Sequence, residues 1–199
     1  MTAPDIIYLH GFRSAPQSSK AQALVHYLES VGYPGQWHVP RLAVTPAGVE
    51  QQLTQLIQSL QGRPFGLIGS SLGGFFASAM AERFDVPAVL INPAVRPYEL
   101  LTDYQGEQTN LYTGEVFEVT GEHLEQLRAL DPPRIRNPER LMVLVQTGDE
   151  TLDYRQAVER FSGANLVIEE GGDHRFTTFE QHLPAIVDFL GKGVEDEVQ

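Results

Sequence analysis

Six short apolar runs, separated by stretches of helical period, constrain this chain more than any other feature of its sequence. They read IIYLH (6–10), WHVP (37–40), FGLIG (65–69), AVLIN (88–92), LMVLVQT (141–147) and NLVIEE (165–170). Most are almost continuous in β-branched residues and leucine, which suits strands covered on both faces. Parallel neighbours need long crossovers, usually helical, so strands alternating with helices predict a parallel sheet with helices on both faces. The helices are predicted over 18–31, 46–61, 72–84, 153–161 and 178–190. In the second, Leu53, Leu56, Ile57 and Leu60 recur on one face, and Thr45 followed by Pro46 fits a cap and first turn.

Residues 95–137 break the alternation with Pro97, Gly106, Gly114, Gly121, Pro132 and Pro133. A structureless loop of that length is unusual in a compact domain, so the segment is predicted to be a partly helical, lid-like insertion after strand 4, over the carboxyl edge of the sheet. GEHLEQLRALD (121–131) supplies its helical stretch, and the closing GVEDEVQ reads as a frayed acidic tail. A chain of 199 residues, 42% of them hydrophobic, is long enough to bury one core and short for two, which predicts a single domain over 1–199.

The chemistry is concentrated where strands end. Gly69, Ser71 and Gly73 match G-x-S-x-G between a predicted buried strand and a predicted helix, the context that this motif requires. A nucleophile on so tight a turn has a strained backbone, and side chains two residues before or after it would collide with the turn or its neighbours. Ser71 is centred between the glycines, and Ser70 becomes a supporting neighbour. No G-x-G-x-x-G series and no Gly-Lys-Ser/Thr ending is present, which removes the phosphate-loop readings.

A serine needs a base and donors for an oxyanion. The first strand ends in LHGF, and the backbone N–H groups of Phe12 and Leu72 are the natural oxyanion pair. Of six histidines, His174 lies in EEGGDHRF, a glycine-marked loop between the last strand and the last helix, and is the candidate base. His10 is a rival whose place in the oxyanion loop suits a structural hydrogen bond. His123 and His182 read as ordinary polar residues, and His26 and His38 have no motif context. Asp149 follows Gly148 after the fifth strand and is the candidate orienting acid. Glu150 and Asp153 are its rivals, Asp153 reading better as a helix cap. The order Ser71, Asp149, His174 is that of the α/β-hydrolase fold.

With these residues in view, YLHGFRSAPQSSKA, GSSLGGFFA, INPAVRPYELLTDY, YTGE, QTGDETLDYRQAV, EGGDHRFTTFE and IVDFLG together resemble the YqiA-like esterase family of small bacterial α/β-hydrolases. The likeness runs from Ile6 to about Gly191, and NPAVRP and LLTDY are specific to that family rather than to hydrolases at large. It implies esterase or thioesterase activity without a metal or organic cofactor, and carries Ser71, Asp149 and His174 over as a triad. Asp173 departs from the asparagine expected before the histidine. The two antiparallel strands that open larger α/β-hydrolases are absent, which leaves six parallel strands in the order 2-1-3-4-5-6.

The formal charge of −12 and the pI near 4.8 argue against nucleic acid or anionic lipid as partners and favour a small-molecule acyl ester or thioester. Without cysteine, no disulfide framework, thiol nucleophile or zinc-thiolate site is possible. The N-terminus lacks a positively charged start and a long apolar run, so the expected location is the cytoplasm. Arg13 and Arg96, near different strand ends, invite an anionic substrate, although tying down loops is the commoner use of such arginines. Phe12, Phe75, Tyr98, Tyr104 and Tyr112 offer aromatic surface for an acyl pocket. The insertion is too short and polar for a lipase working on an oil surface, so short to medium acyl groups are expected. The same residues also suit an acyltransferase or amidase, and less well a binding protein that kept the scaffold without the activity.

Overall fold

The computed structural model describes residues 3–195. Its main sheet contains β1 (Asp5–Leu9), β2 (Trp37–His38), β3 (Phe65–Ser70), β4 (Ala88–Ile91), β7 (Leu141–Gln146) and β8 (Asn165–Glu169). A separate antiparallel hairpin is formed by β5 (Gly106–Thr109) and β6 (Val116–Val119). The helices are α1 (Ser19–Ser30), α2 (Pro46–Ser59), α3 (Leu72–Phe84), α4 (Pro97–Leu100), α5 (Gly121–Leu130), α6 (Tyr154–Arg160) and α7 (Phe179–Glu195). The main sheet runs β2-β1-β3-β4-β7-β8 and every neighbouring pair is parallel. Counted along the chain without the hairpin, that is the expected order 2-1-3-4-5-6.

Successive residues of a strand face opposite sides of the sheet, so the apolar runs fill two cores. Ile7, Leu9, Leu67, Leu90 and Val143 pack with α2, α3, α5 and α6 on one face. Ile6, Tyr8, Ile68, Val89 and Leu144 pack with α1 and α7 on the other. The edge strand β2 is shorter than its apolar run. Its pairing with β1 stops at Ile7↔His38, two residues before Pro40, which has no N–H to give a ladder.

The insertion holds α4, a 3₁₀ turn, the hairpin and α5. The hairpin is the part that the sequence reading did not anticipate. The final helix runs past the predicted end at residue 190 to Glu195 and takes in GVE of the expected tail, while 196–199 lie outside the described residues. Among the described residues, no helix is long and apolar enough to cross a membrane.

Because all six strands are parallel, their carboxyl ends share one edge of the sheet. The chain leaves β1 for β2 on one side and continues from β3 towards β8 on the other, so a crevice opens outside β1 and β3 where the strand order reverses. The loops after these two strands meet in that crevice.

Candidate active site

Ser71 stands at the tip of the turn from β3 to α3 with φ 56° and ψ −120°, a backbone conformation that L-residues rarely adopt. Its surroundings hold it there. The Ser71 N–H donates to Ile91 O at 3.0 Å, and its carbonyl accepts from Gly74 N at 2.9 Å and from Ala94 N at 3.1 Å. The flanking glycines are required by close approach. A Cβ at Gly69 would overlap the Gly73 carbonyl, and one at Gly73 would overlap the carbonyls of Leu9 and His10. Ser70 is buried beside Tyr8, whose phenol is raised by burial and partly offset by its hydrogen bond with Ser70.

The loop after β8 brings His174 to this turn. Its Nε2 lies 3.1 Å from Ser71 Oγ, and its Nδ1 lies 2.8 Å from Asp149 Oδ2. The Asp149 side chain is 2% exposed, against 23% for His174. Asp149 Oδ1 accepts the N–H groups of Thr151 and Leu152, both at 2.8 Å, so one carboxylate oxygen is fixed by the loop and the other is left for the imidazole. Glu150 turns the other way. Its Oε2 accepts the His174 backbone N–H at 3.0 Å, a bond that holds the Glu150 carboxyl below the ordinary carboxylate range. Asp153 caps α6 by accepting from Arg155 N.

Two buried amides beneath the His174 loop carried no signal in the sequence. Asn92, directly after β4, has φ 39° and donates from Nδ2 to Asp173 O at 3.1 Å and to His174 O at 3.4 Å. Gln146, at the end of β7, accepts the Asp173 N–H at 3.0 Å, and its own N–H donates to Asn92 Oδ1 at 3.0 Å. The Gln146 Nε2 donates to Glu169 and to Thr178 Oγ1. Burial opposes ionisation of Glu169, but the hydrogen bonds from Thr178, Gln146 and His182 together hold its carboxyl below the ordinary range. The backbone around 173–174 is thus gripped through both its N–H and its carbonyl groups. Asn92→Ala is expected to lower kcat by about 10²-fold with KM little changed, the scale of a misplacement near 1 Å. Steady-state kinetics beside a melting curve check this, since a general loss of folded protein would lower the active fraction without changing KM.

On the facing wall, Gly11 lies against the serine, where a Cβ would stand 3.2 Å from Ser71 Cβ. Among the described residues, neither the Phe12 N–H nor the Leu72 N–H has a hydrogen-bond partner. Leu72 opens α3, and the first N–H groups of a helix point out of it along the positive end of its dipole.

His10 fixes this loop. Its Nδ1 bonds Gly11 O at 3.1 Å, and its Nε2 accepts the Leu42 N–H at 3.1 Å, a pattern that only the neutral ring can make. Burial lowers its pKa from the ordinary imidazole value, and the nearby Arg41 charge adds to that against the Gly11 bond. A depressed folded value means that the stability from His10 is present above about pH 6.5 and is lost as pH falls through the folded value. In His10→Gln the melting temperature is therefore expected to fall less than in wild type between about pH 7 and 5, as a pH series of thermal melts will show.

The three residues considered for substrate binding are engaged locally. Arg13, itself at φ 56°, donates from Nε to Thr109 O at 3.0 Å and lines a cavity beside Gly11 and Leu72. Arg96 pairs with Glu99 at the surface, away from that cavity. The Tyr98 hydroxyl donates to Asp131 at 2.9 Å, with the Arg128 guanidinium over its ring, so it braces α4 against α5. Of the aromatic candidates, Phe12 lines the cavity, Tyr104 packs edge-on to Phe12 at 5.6 Å, Phe75 is core, and Tyr112 is exposed on the hairpin turn. Phe76 and Phe117, which the sequence reading did not select, are also in the cavity wall.

The chain is similar to known proteins in sequence and in fold. In sequence, the chain is 25% identical to a UPF0227 protein of Citrobacter koseri over 94% of its own length and 99% of that protein's. It is 23% identical to the UPF0227 protein YcfP of Salmonella arizonae over the same shares. In structure, it superposes on Est1E from Butyrivibrio proteoclasticus with a TM-score of 0.68 and 16% identity, covering 98% of this chain and 89% of that one. Alpha/beta hydrolase domain-containing protein 10 from mouse gives 0.69 and 18%, covering 98% and 91%. A monoacylglycerol lipase of Paleococcus ferrophilus gives 0.66 and 18%, covering 97% of each. The family model described as "Uncharacterised protein family (UPF0227)" matches residues 5–191. On an α/β-hydrolase fold, the chain belongs to the UPF0227 family, the group that includes YcfP and YqiA-like proteins.

Proposed function

We propose that the protein is a serine hydrolase cleaving carboxylic ester or thioester bonds of short to medium acyl substrates through an acyl-enzyme intermediate. The observation that carries this reading is the continuous hydrogen-bonded line Asp149–His174–Ser71, at 2.8 and 3.1 Å, which ends on a strained turn beside two unpartnered N–H groups. The monoacylglycerol lipase among the structural relatives supports it through the fold alone.

In this mechanism Ser71 Oγ attacks the acyl carbonyl carbon as its proton passes to His174 Nε2. The Asp149 carboxylate holds the imidazole with its other N–H towards Oδ2 and stabilises the imidazolium. The tetrahedral oxygen takes its negative charge against the N–H groups of Phe12 and Leu72, which need no reorganisation to receive it. Collapse expels the alcohol or thiol, protonated by His174. Water then adds to the acyl-serine, giving its proton to Nε2, and the acid leaves as that proton returns to Ser71 Oγ. No step calls on a metal or organic cofactor, and the substrate is a small molecule met in the cytoplasm.

A fluorophosphonate probe tests the assignment. Wild type is expected to label at Ser71, and Ser71→Ala to remain unlabelled while still folded. Absence of labelling in wild type, or labelling mapped to Ser70, overturns it.

A further inference from the structure

A cavity lined by Gly11 and Leu72, both next to Ser71, lies under the β5–β6 hairpin. Gly11, Phe12 and Leu72 form its near wall, and because Gly11 has no side chain, nothing of that residue stands between the serine hydroxyl and the opening. Beyond them the wall is apolar, built from Val49 of α2, Phe76 of α3, Leu101, Phe117 and Val119 of the insertion and Leu127 of α5. Several polar groups on this wall, His10, Asn110 and His123 among them, are used in building the loops. His10 is bonded at both ring nitrogens, and Asn110 donates to Ser14 O and accepts from Tyr112 N and Thr113 N. A ligand entering from Ser71 therefore meets hydrocarbon and finds no buried charge to pair with.

The hairpin over the cavity is held unevenly. On the oxyanion-loop side it is fastened by Arg13 Nε to Thr109 O at 3.0 Å, Leu111 N to Arg13 O at 2.9 Å and Asn110 Nδ2 to Ser14 O at 2.7 Å. On the other side the segment 41–43 is anchored to α2 through Gln52, which donates to Arg41 O and accepts from Ala43 N. The two sides are bridged by an ion pair between Arg41 and Glu115, both on the cavity wall and with side chains 58% and 45% exposed. A pair so open to water is weak and is screened by salt. The hairpin is thus fastened by hydrogen bonds on the oxyanion-loop side and joined by an exposed ion pair on the side of 41–43.

We propose that this cavity receives the acyl chain of the substrate, as an unbranched hydrocarbon chain, and that the Arg41–Glu115 clasp sets how long a chain it accepts. The proposal rests on the ester or thioester reading of Ser71. With the clasp closed, the chain is confined between the hairpin and α2, α3 and α5. With it open, the hairpin is free on that side and a longer chain can extend past it. Arg41 and Glu115 are then specificity-determining residues that do no chemistry.

The test compares kcat/KM on p-nitrophenyl butyrate, octanoate and dodecanoate for wild type, Arg41→Gln, Glu115→Gln and the charge-reversed pair Arg41→Glu/Glu115→Arg. Each single variant is expected to raise the dodecanoate-to-octanoate ratio by up to about five-fold, the most that an exposed ion pair can impose. The reversed pair is expected to return the ratio towards wild type, a rescue that mere loosening of the loops would not give. Added salt should raise the ratio in wild type and leave it unchanged in the single variants. A ratio that is the same in all four proteins, or a reversed pair no better than the single variants, overturns the clasp. Failure of the ester reading has a different signature, with no ester turned over and no fluorophosphonate label. Calorimetry of wild type with octanoate then decides about the cavity: binding that weakens in Phe117→Ala supports an acyl site, and no binding overturns it.

Discussion

Ser71→Ala is expected to fold as wild type does and to lose about 10⁶-fold in kcat on esters, with a residue of about 10³-fold above the uncatalysed rate. The loss is large because, in the proposed mechanism, His174 and Asp149 act only through the hydroxyl 3.1 Å from Nε2. Without it, they have no proton to move. The residue remains because the Phe12 and Leu72 N–H groups still face a bound carbonyl while water attacks from solution. Asp149→Asn should lose less, about 10⁴-fold, since the serine and base survive but the imidazole is no longer held in the useful tautomer. Stopped assays with single-turnover controls give both numbers. The idea fails if Ser71→Ala keeps more than about a hundredth of wild-type activity.

The second large effect is on folding and needs no assumption about chemistry. In Gly73→Ala the new methyl would lie inside the contact distance of the Leu9 and His10 carbonyls. These are backbone atoms at the end of β1, whose Leu9 is in register with Gly69 of β3, so the obstacle cannot swing aside as the end of a long side chain would. Either the turn opens or β1 and β3 part. Both cost more than about 4 kcal/mol, a large share of the 5–15 kcal/mol that typically holds a domain together. The variant is expected to accumulate poorly and to show no cooperative urea transition near that of wild type. Gly121→Ala is the matched control. That glycine opens α5 with nothing within 4 Å of an added Cβ, so alanine should leave stability unchanged or raise it by up to about 1 kcal/mol. Equal behaviour of the two variants would count against the packing account.

What the sequence made legible follows the strength of the local signals. β1, β3, β4 and β7 were readable because their burial on both faces demands near-continuous apolar runs, and Ser71 because only glycine fits two residues either side of it. His174 and Asp149 could be chosen because their loops follow strands whose carboxyl ends share one edge. The hairpin was hidden by its own exposure. GEQT and VFEV are four-residue strands with alternately exposed side chains, so they carry half of a β pattern each and resemble loop. Asn92 and Gln146 were invisible for another reason. An amide next to a strand end is ordinary in sequence, and its use depends on three strand ends meeting under one loop. Arg13, Arg96 and Tyr98 show the converse, since a charge or ring near a strand end says nothing of the partner that occupies it.

The wide spacing of the site along the chain has a consequence for synthesis. Ser71 and its imidazole partner are 103 residues apart, and the loop carrying His174 follows β8, the last strand and an edge of the sheet. On the proposed mechanism, a chain emerging from the ribosome carries Ser71 long before its base is made, and the hydroxyl stays an ordinary alcohol through most of translation. The same dependence makes reactivity at Ser71 a sensor for the final docking event. A chain with every helix formed but β8 undocked would pass a circular dichroism test and fail a labelling one.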